Sequence, residues 1–190
     1  MPKKQAVIVA GPNGSGKTTF ALEYVAAYGF QYLSADAIAA ELSPNDWQKV
    51  KVKAGKLFLQ KLEQLSKIGN SIVVESTLAG LSFRKIIQDL KLAGYEISIV
   101  FVFLDNPDIC IARIKERVLK GGHHVPDEDV KRRFYRSIRN FWSVYKKLVD
   151  YWSLFYNSND SFQEVAVGES NGCVVADELL IDRFLKQVNN

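Results

Sequence analysis

Gly11-Pro12-Asn13-Gly14-Ser15-Gly16-Lys17-Thr18 fits G-x-x-x-x-G-K-[ST], the Walker A pattern. Glycines let successive backbone N–H groups turn inward as an anion nest, and a following helix adds the positive end of its dipole. Lys17 then reaches the β- and γ-phosphates as a point charge, with Thr19 behind it in the same first turn. The Thr18 hydroxyl is the expected Mg²⁺ ligand. A plain glycine turn explains the glycines but not Lys17-Thr18 directly after them. The chemistry is that of an ATP or GTP site. The G-x-G-x-x-G spacing of a dinucleotide fold is absent, which disfavours NAD and FAD.

Two carboxylates stand where apolar runs end. Phe30-Gln31-Tyr32-Leu33 leads into Ser34-Ala35-Asp36, and Ser71-Ile72-Val73-Val74 leads into Glu75-Ser76-Thr77. Asp36 is either a helix cap, a role Ser34 fills equally well, or a base for an incoming hydroxyl. A carboxylate at the end of an apolar strand is poorly solvated unless something binds it. Glu75 therefore reads as a support for Mg²⁺ through water or as an acceptor for a substrate hydroxyl, with Thr77 as a donor. Alternatively Glu75-Ser76-Thr77 is a turn whose polar groups satisfy one another. Asp105, after Ile99–Leu104, competes with Glu75 for the magnesium role, but Asp105-Asn106-Pro107-Asp108 reads more strongly as a helix start capped by Asp105.

The third set is basic. Residues 111–147 hold eleven Lys/Arg against four Asp/Glu, a net +7 that leaves −3 on the rest of a chain whose total is +4. Such a segment serves either nucleic acid or a polyphosphate gripped from a lid. Arg113, Lys115, Arg117 and Lys120 sit on a helix over about 107–119. Gly121-Gly122-His123-His124-Val125-Pro126 interrupts it, and a longer helix follows from Asp127-Glu128-Asp129. Val130, Phe134, Ile138, Phe141, Tyr145 and Leu148 form one stripe there, with Arg132, Arg136 and Arg139 opposite and Arg133 on a flank. Two basic helices around a Gly-Gly hinge look like a lid over about 107–140 that closes on phosphates and excludes water. The adjacent histidines have no metal-ligand spacing.

The elements that must position these groups alternate. The buried strand Ala6–Ala10, the phosphate loop and the helical run Thr19–Tyr28 come in that order. Residues 37–69 read as two helices broken at Ser43-Pro44-Asn45, with Trp47 a packing residue. The second carries an apolar stripe of Leu57, Leu59, Leu62, Leu65 and Ile68 and stops at Gly69-Asn70. Ser82 caps a helix carrying Phe83, Ile86, Ile87 and Leu90, and Gly94 closes it. From Asp150 come short strands, a turn at Asn157–Asp160 and a final helix over Glu178–Val188, a tail with no evident chemistry. The expectation is one α/β domain over 1–190, a three-layer α/β/α sandwich with a mostly parallel central sheet, a helical lid and a short C-terminal β extension over 150–190. Cys110 and Cys173 lack His or Cys companions and read as reduced cysteines. No signal-peptide or membrane-spanning run is present, so the chain reads as cytoplasmic with no membrane partner.

Taken together, AGPNGSGKTTF, SAD, VVEST and RVLKGGHHVPDEDVKRRFYRSIRN resemble the short zeta-toxin-like P-loop kinases of bacteria, over most of residues 6–157. The resemblance implies an ATP- and Mg²⁺-dependent kinase whose best-known members phosphorylate a sugar hydroxyl of UDP-N-acetylglucosamine and are held inactive by a small antitoxin. It implies that Lys17 and Thr18 serve phosphate and magnesium, Asp36 the hydroxyl proton, Glu75 and Thr77 the substrate, and Arg117 the γ-phosphate. The chain departs from the family pattern at Ala79, where the toxins carry an arginine, and near His123, where their second lid arginine falls. Arg132, Arg133 or Arg136 then supplies that charge, with Arg133 carried as the catalytic candidate.

Two other readings compete with the kinase. A nucleic-acid-dependent NTPase would use the basic segment and its aromatics, but those aromatics fall largely on the apolar stripe, which favours core packing over base stacking. A regulatory protein that binds nucleotide without chemistry would accumulate no phosphorylated product.

Overall fold

A computed structural model of the chain describes residues 3–43, 47–122, 124–158, 161–169 and 172–189, without the side chains of residues 47 and 48. The expected break at Pro44-Asn45, the Trp47 side chain, His123 and the turn residues 159 and 160 lie outside this description. The described strands are β1 (Gln5–Ala10), β2 (Gln31–Ser34), β3 (Ile72–Ser76), β4 (Glu96–Phe103), β5 (Tyr151–Ser158), β6 (Ser161–Glu169) and β7 (Gly172–Val175). They form one sheet in the order β2-β3-β1-β4-β5-β6-β7. The first five are mutually parallel; β6 and β7 extend the sheet antiparallel. β3 and β4 flank β1 although they follow each other in the chain, so a crevice opens beyond the carboxyl end of β1.

The helices are α1 (Lys17–Tyr28), α2 (Ala35–Leu42), α3 (Trp47–Ile68), α4 (Phe83–Leu92), α5 (Pro107–Leu119), α6 (Asp127–Ser143) and α7 (Glu178–Val188). Strand residues alternate between faces, as a period of two requires. Val7, Val9, Val73, Val100 and Val102 face α1 and the rings of Phe20, Phe155 and Phe162. Ile8, Ile72, Val74, Ile97, Ile99 and Phe101 face the other way, in one cluster with the buried residues of α2 to α7. The layers are therefore unequal, with most helical mass on one side. No described helix is long and apolar enough to cross a membrane.

Several local expectations need correction. α3 buries Ala54, Phe58 and Leu62, with Leu57 and Leu65 packed against the same core, while Leu59 and Ile68 of the expected stripe are exposed. Ser82 is helical and makes no side-chain cap. Asn106, not Asp105, caps α5, its Oδ1 accepting from the N–H groups of Asp108 and Ile109. Asp105 accepts from the Tyr156 hydroxyl and pairs with Arg183 at 3.5 Å. It faces the C-terminal segment. The C-terminal strands complete one side of the sheet: β5 pairs with both β4 and β6 and buries Trp152 and Leu154.

Candidate active site

The phosphate loop leaves β1 and enters α1 with no side-chain cap on that helix and no acidic residue in its first turn. Its N-terminal amides and dipole thus face the crevice uncompensated. Gly16 stands at φ 96°, in the left-handed region, and a Cβ there would lie 2.3 Å from Asn157 Nδ2. Lys17 is buried, and its ammonium donates to the Pro12 carbonyl at 2.7 Å. Burial lowers the Lys17 pKa from the usual lysine value, and the carboxylates of Glu75 and then Asp36 oppose that shift. With one of three N–H groups spent on its own loop, Lys17 keeps donors for a phosphate.

β3 delivers Glu75 to the same place. Its Oε1 accepts from Thr18 Oγ1 at 3.1 Å, and its Oε2 accepts from the Tyr32 hydroxyl at 2.7 Å. Burial, and next the Glu75 charge, raise the pKa of Tyr32, so it stays a donor. β2 delivers Asp36 beside them. Ser34 caps α2 by accepting from the Ala37 N–H at 3.4 Å, which leaves the exposed Asp36 carboxylate unspent on capping. The choice between the two capping residues thus resolves to Ser34.

Thr77 follows in a tight segment. Ser76 and Thr77 hydroxyl oxygens accept from the N–H groups of Leu78 and Ala79, and each hydroxyl retains a proton to donate. Leu78 is held at φ 53°, an unusual conformation for a residue with a side chain. Two groups hold this segment in place: Asn140 Nδ2 donates to the Leu78 carbonyl at 2.9 Å, and the Tyr145 hydroxyl donates to the Gly80 carbonyl.

α5 brings Arg113, Arg117 and Lys120 over the phosphate loop. Burial lowers the Arg117 pKa, and Asp36 followed by Glu75 opposes that shift. Gly122 crosses the arginine's aliphatic stem so closely that a Cβ there would meet Arg117 Cγ at 2.5 Å. Arg133, the other arginine candidate, stands on α6. Asp129 holds it at 3.1 Å and Arg132 at 2.6 Å, and both line a different cleft.

Two clefts meet at this site. One, of about 530 Å³, is walled by the phosphate loop, Thr18, Thr19 and the basic face of α5. The other, of about 580 Å³, is walled by Thr77, Phe58 and Phe83, and by Arg132, Arg133 and Arg136 of α6. Lys17, Ser34, Asp36 and Glu75 line both. The donor set suits a triphosphate with Mg²⁺: a buried ammonium, an uncapped helix N-terminus, and a hydroxyl backed by a carboxylate. Among the described residues no group of three His, Cys, Asp or Glu could hold a metal by itself.

The sequence reading missed Tyr32 and Asn157. Asn157 is buried and donates from Nδ2 to the Ser15 carbonyl at 2.8 Å. Gln187 of α7 likewise donates to the carbonyls of Leu104 and Asp105, where α5 begins. The tail expected to carry no chemistry thus grips both the phosphate loop and the root of the arginine helix.

The chain belongs to the AAA domain family, whose profile matches residues 7–136. A curated relative, an uncharacterized protein of Haemophilus influenzae, is 28% identical over 138 residues, which span 70% of this chain and 94% of the relative. Among solved structures, one from the PezAT chromosomal toxin-antitoxin system of Streptococcus pneumoniae superposes with a TM-score of 0.68 at 16% identity, covering all of this chain and 87% of that one. A chain of the AvrRxo1-ORF1:-ORF2 complex gives a TM-score of 0.77 at 17% identity, covering 98% of this chain and 64% of that one. Shikimate kinase from Acinetobacter baumannii gives a TM-score of 0.52 at 12% identity, covering 83% and 85%. At these identities the likeness shows a shared fold, a mostly parallel α/β sheet.

Proposed function

We propose that this protein is an ATP-dependent kinase that transfers the γ-phosphoryl group to a hydroxyl of a small molecule. The observation that carries this reading is the wall of Lys17, Asp36 and Glu75 shared by the two clefts. ATP lies in the first cleft and the acceptor in the second, so the reacting atoms meet at that wall. Gly11 to Thr19 hold the phosphates. Thr18 Oγ1 would ligate Mg²⁺, with Glu75 orienting that hydroxyl and the metal's waters. Bound Mg²⁺ supplies neutralisation of charge on the phosphate oxygens.

Asp36 accepts the proton of the acceptor hydroxyl as its oxygen bonds to phosphorus, and the bond to the ADP oxygen breaks. Lys17 and Arg117 stabilise charge on the transferring group. Thr77 donates to the acceptor, and Arg132, Arg133 and Arg136 favour one that carries negative charge. A nucleotide sugar such as UDP-N-acetylglucosamine meets these demands. The likeness to a chain of a toxin-antitoxin system supports an antitoxin as a partner protein.

The test is incubation with Mg·ATP and a panel of nucleotide sugars, nucleosides and free sugars, read by mass. One acceptor should gain a phosphoryl group in step with ADP. Release of ADP with free phosphate and no phosphorylated acceptor would contradict the proposal; stimulation of that release by DNA or RNA would transfer the reading to a nucleic-acid-dependent NTPase.

A further inference from the structure

Asn157 lies beyond residue 136, where the family match ends, yet its side chain is anchored on the phosphate loop. It is 1% exposed, and its Oδ1 is buried with no hydrogen-bond partner among the described residues. An amide that leaves half its polarity unmatched in the interior is less favourable than an apolar side chain of the same shape. Packing therefore does not account for an asparagine here, and the bond it makes does.

That bond falls on the Ser15–Gly16 peptide. A trans peptide is planar, and its C=O and N–H point in opposite directions; the described residues include no cis peptide. Holding the Ser15 carbonyl against β5 turns the Gly16 N–H away from the hairpin, toward the cleft that Gly16 lines. Glycine at φ 96° offers little resistance of its own to rotation of that peptide. The anchor is itself stiff. Phe20 of α1 packs on Phe155 and Phe162, with ring centroids 5.2 and 5.1 Å apart, which seats the β5–β6 hairpin against the helix that follows the loop.

We infer that Asn157 is a positioning residue for the phosphate site: it locks the Ser15–Gly16 peptide with its N–H turned to the phosphates, and so makes the C-terminal hairpin part of the nucleotide-binding machinery. This rests on the donor-site reading of the loop, and the test keeps the two apart. Mg·ADP affinity is measured by calorimetry for the full chain, wild type and variants, at a temperature where circular dichroism shows each folded. Asn157→Asp keeps the volume and removes the donor; Asn157→Ser, too short to reach Ser15, serves if the aspartate variant does not fold. Either should bind Mg·ADP about tenfold more weakly.

Val165→Ala, a cavity in β6 at a fully buried position, is the control for lost stability. It should lower the melting temperature and leave the affinity unchanged. Asn157 variants that bind Mg·ADP as wild type does would overturn the inference. So would a Val165→Ala protein whose affinity falls as far as theirs. Wild-type protein that binds no Mg·ADP would instead remove the donor site itself.

Discussion

The Thr18 hydroxyl donates to Glu75 Oε1 across 3.1 Å, joining the first turn of α1 to the end of β3. With Tyr32 on the other oxygen, each Glu75 oxygen accepts from one donor, and the two hold the carboxylate in one orientation. On the proposed function, Glu75 would act on Mg²⁺ through Thr18. Glu75→Gln keeps the shape, removes the charge and turns an NH₂ toward one of the two hydroxyls. The Mg²⁺ concentration for half-maximal turnover should rise about tenfold or more, as when outer partners of metal ligands are removed. Tyr32→Phe should shift it less, in the same direction. A magnesium titration of both variants checks this.

Lys17 gives a pH dependence whose sign follows from its burial. Its pKa is lowered, so on raising pH it loses its proton earlier than an ordinary lysine, and with it the charge that meets a phosphate. Nucleotide affinity should therefore weaken as pH rises through that lowered value, and binding in that range should take up a proton. In the protein without nucleotide, the same group binds fewer protons folded than unfolded between its lowered pKa and 10.5, so its contribution to stability rises with pH there. Calorimetric titrations in buffers of different ionisation enthalpy report the proton uptake. Lys17→Met should abolish it.

Gly122→Ala tests how Arg117 is held. The added carbon would stand 2.5 Å from Arg117 Cγ and 3.0 Å from its carbonyl, so the arginine stem must move. The variant should lower kcat about as much as Arg117→Ala, with Mg·ADP affinity changed far less. A Gly122→Ala enzyme of wild-type kcat would show that the close approach has no bearing on Arg117.

The two cysteines should separate cleanly. Cys110 is buried beneath Gly14, and its thiol is pushed up to about 12, while Cys173 is exposed on β7. A thiol of that kind is neutral and inaccessible near neutral pH. Native protein should take one maleimide, at Cys173, and denatured protein two, as read by intact mass.

Much of this was readable in the chain because it is local. Strand, glycine loop and helix follow one another within residues 5–28, and Lys17-Thr18 sit inside the motif that defines them. Asp36 and Glu75 reached the correct edge because apolar runs end just before them. Readings failed where adjacent residues compete for one local role, as Asp105 and Asn106 do for the cap of α5. They failed again where a partner is remote in sequence. Tyr32 meets Glu75 43 residues on, and Asn157 meets Ser15 142 residues back, through strands whose order no local pattern declares. Arg133 shows a third case: helical periodicity gives a residue's direction on its own helix but not the cleft that the helix overlooks, here the one that Thr77 also lines.

The account stands or falls on Asp36, whose carboxylate lies between the two clefts. The direct measurement is phosphoryl transfer from γ-labelled ATP to the identified acceptor, wild type beside Asp36→Asn, with Mg·ATP affinity determined for both. Transfer should fall about 10²- to 10⁴-fold while affinity for Mg·ATP stays near that of wild type. Transfer at the wild-type rate by Asp36→Asn would contradict Asp36 as the base and the two-cleft mechanism built on it.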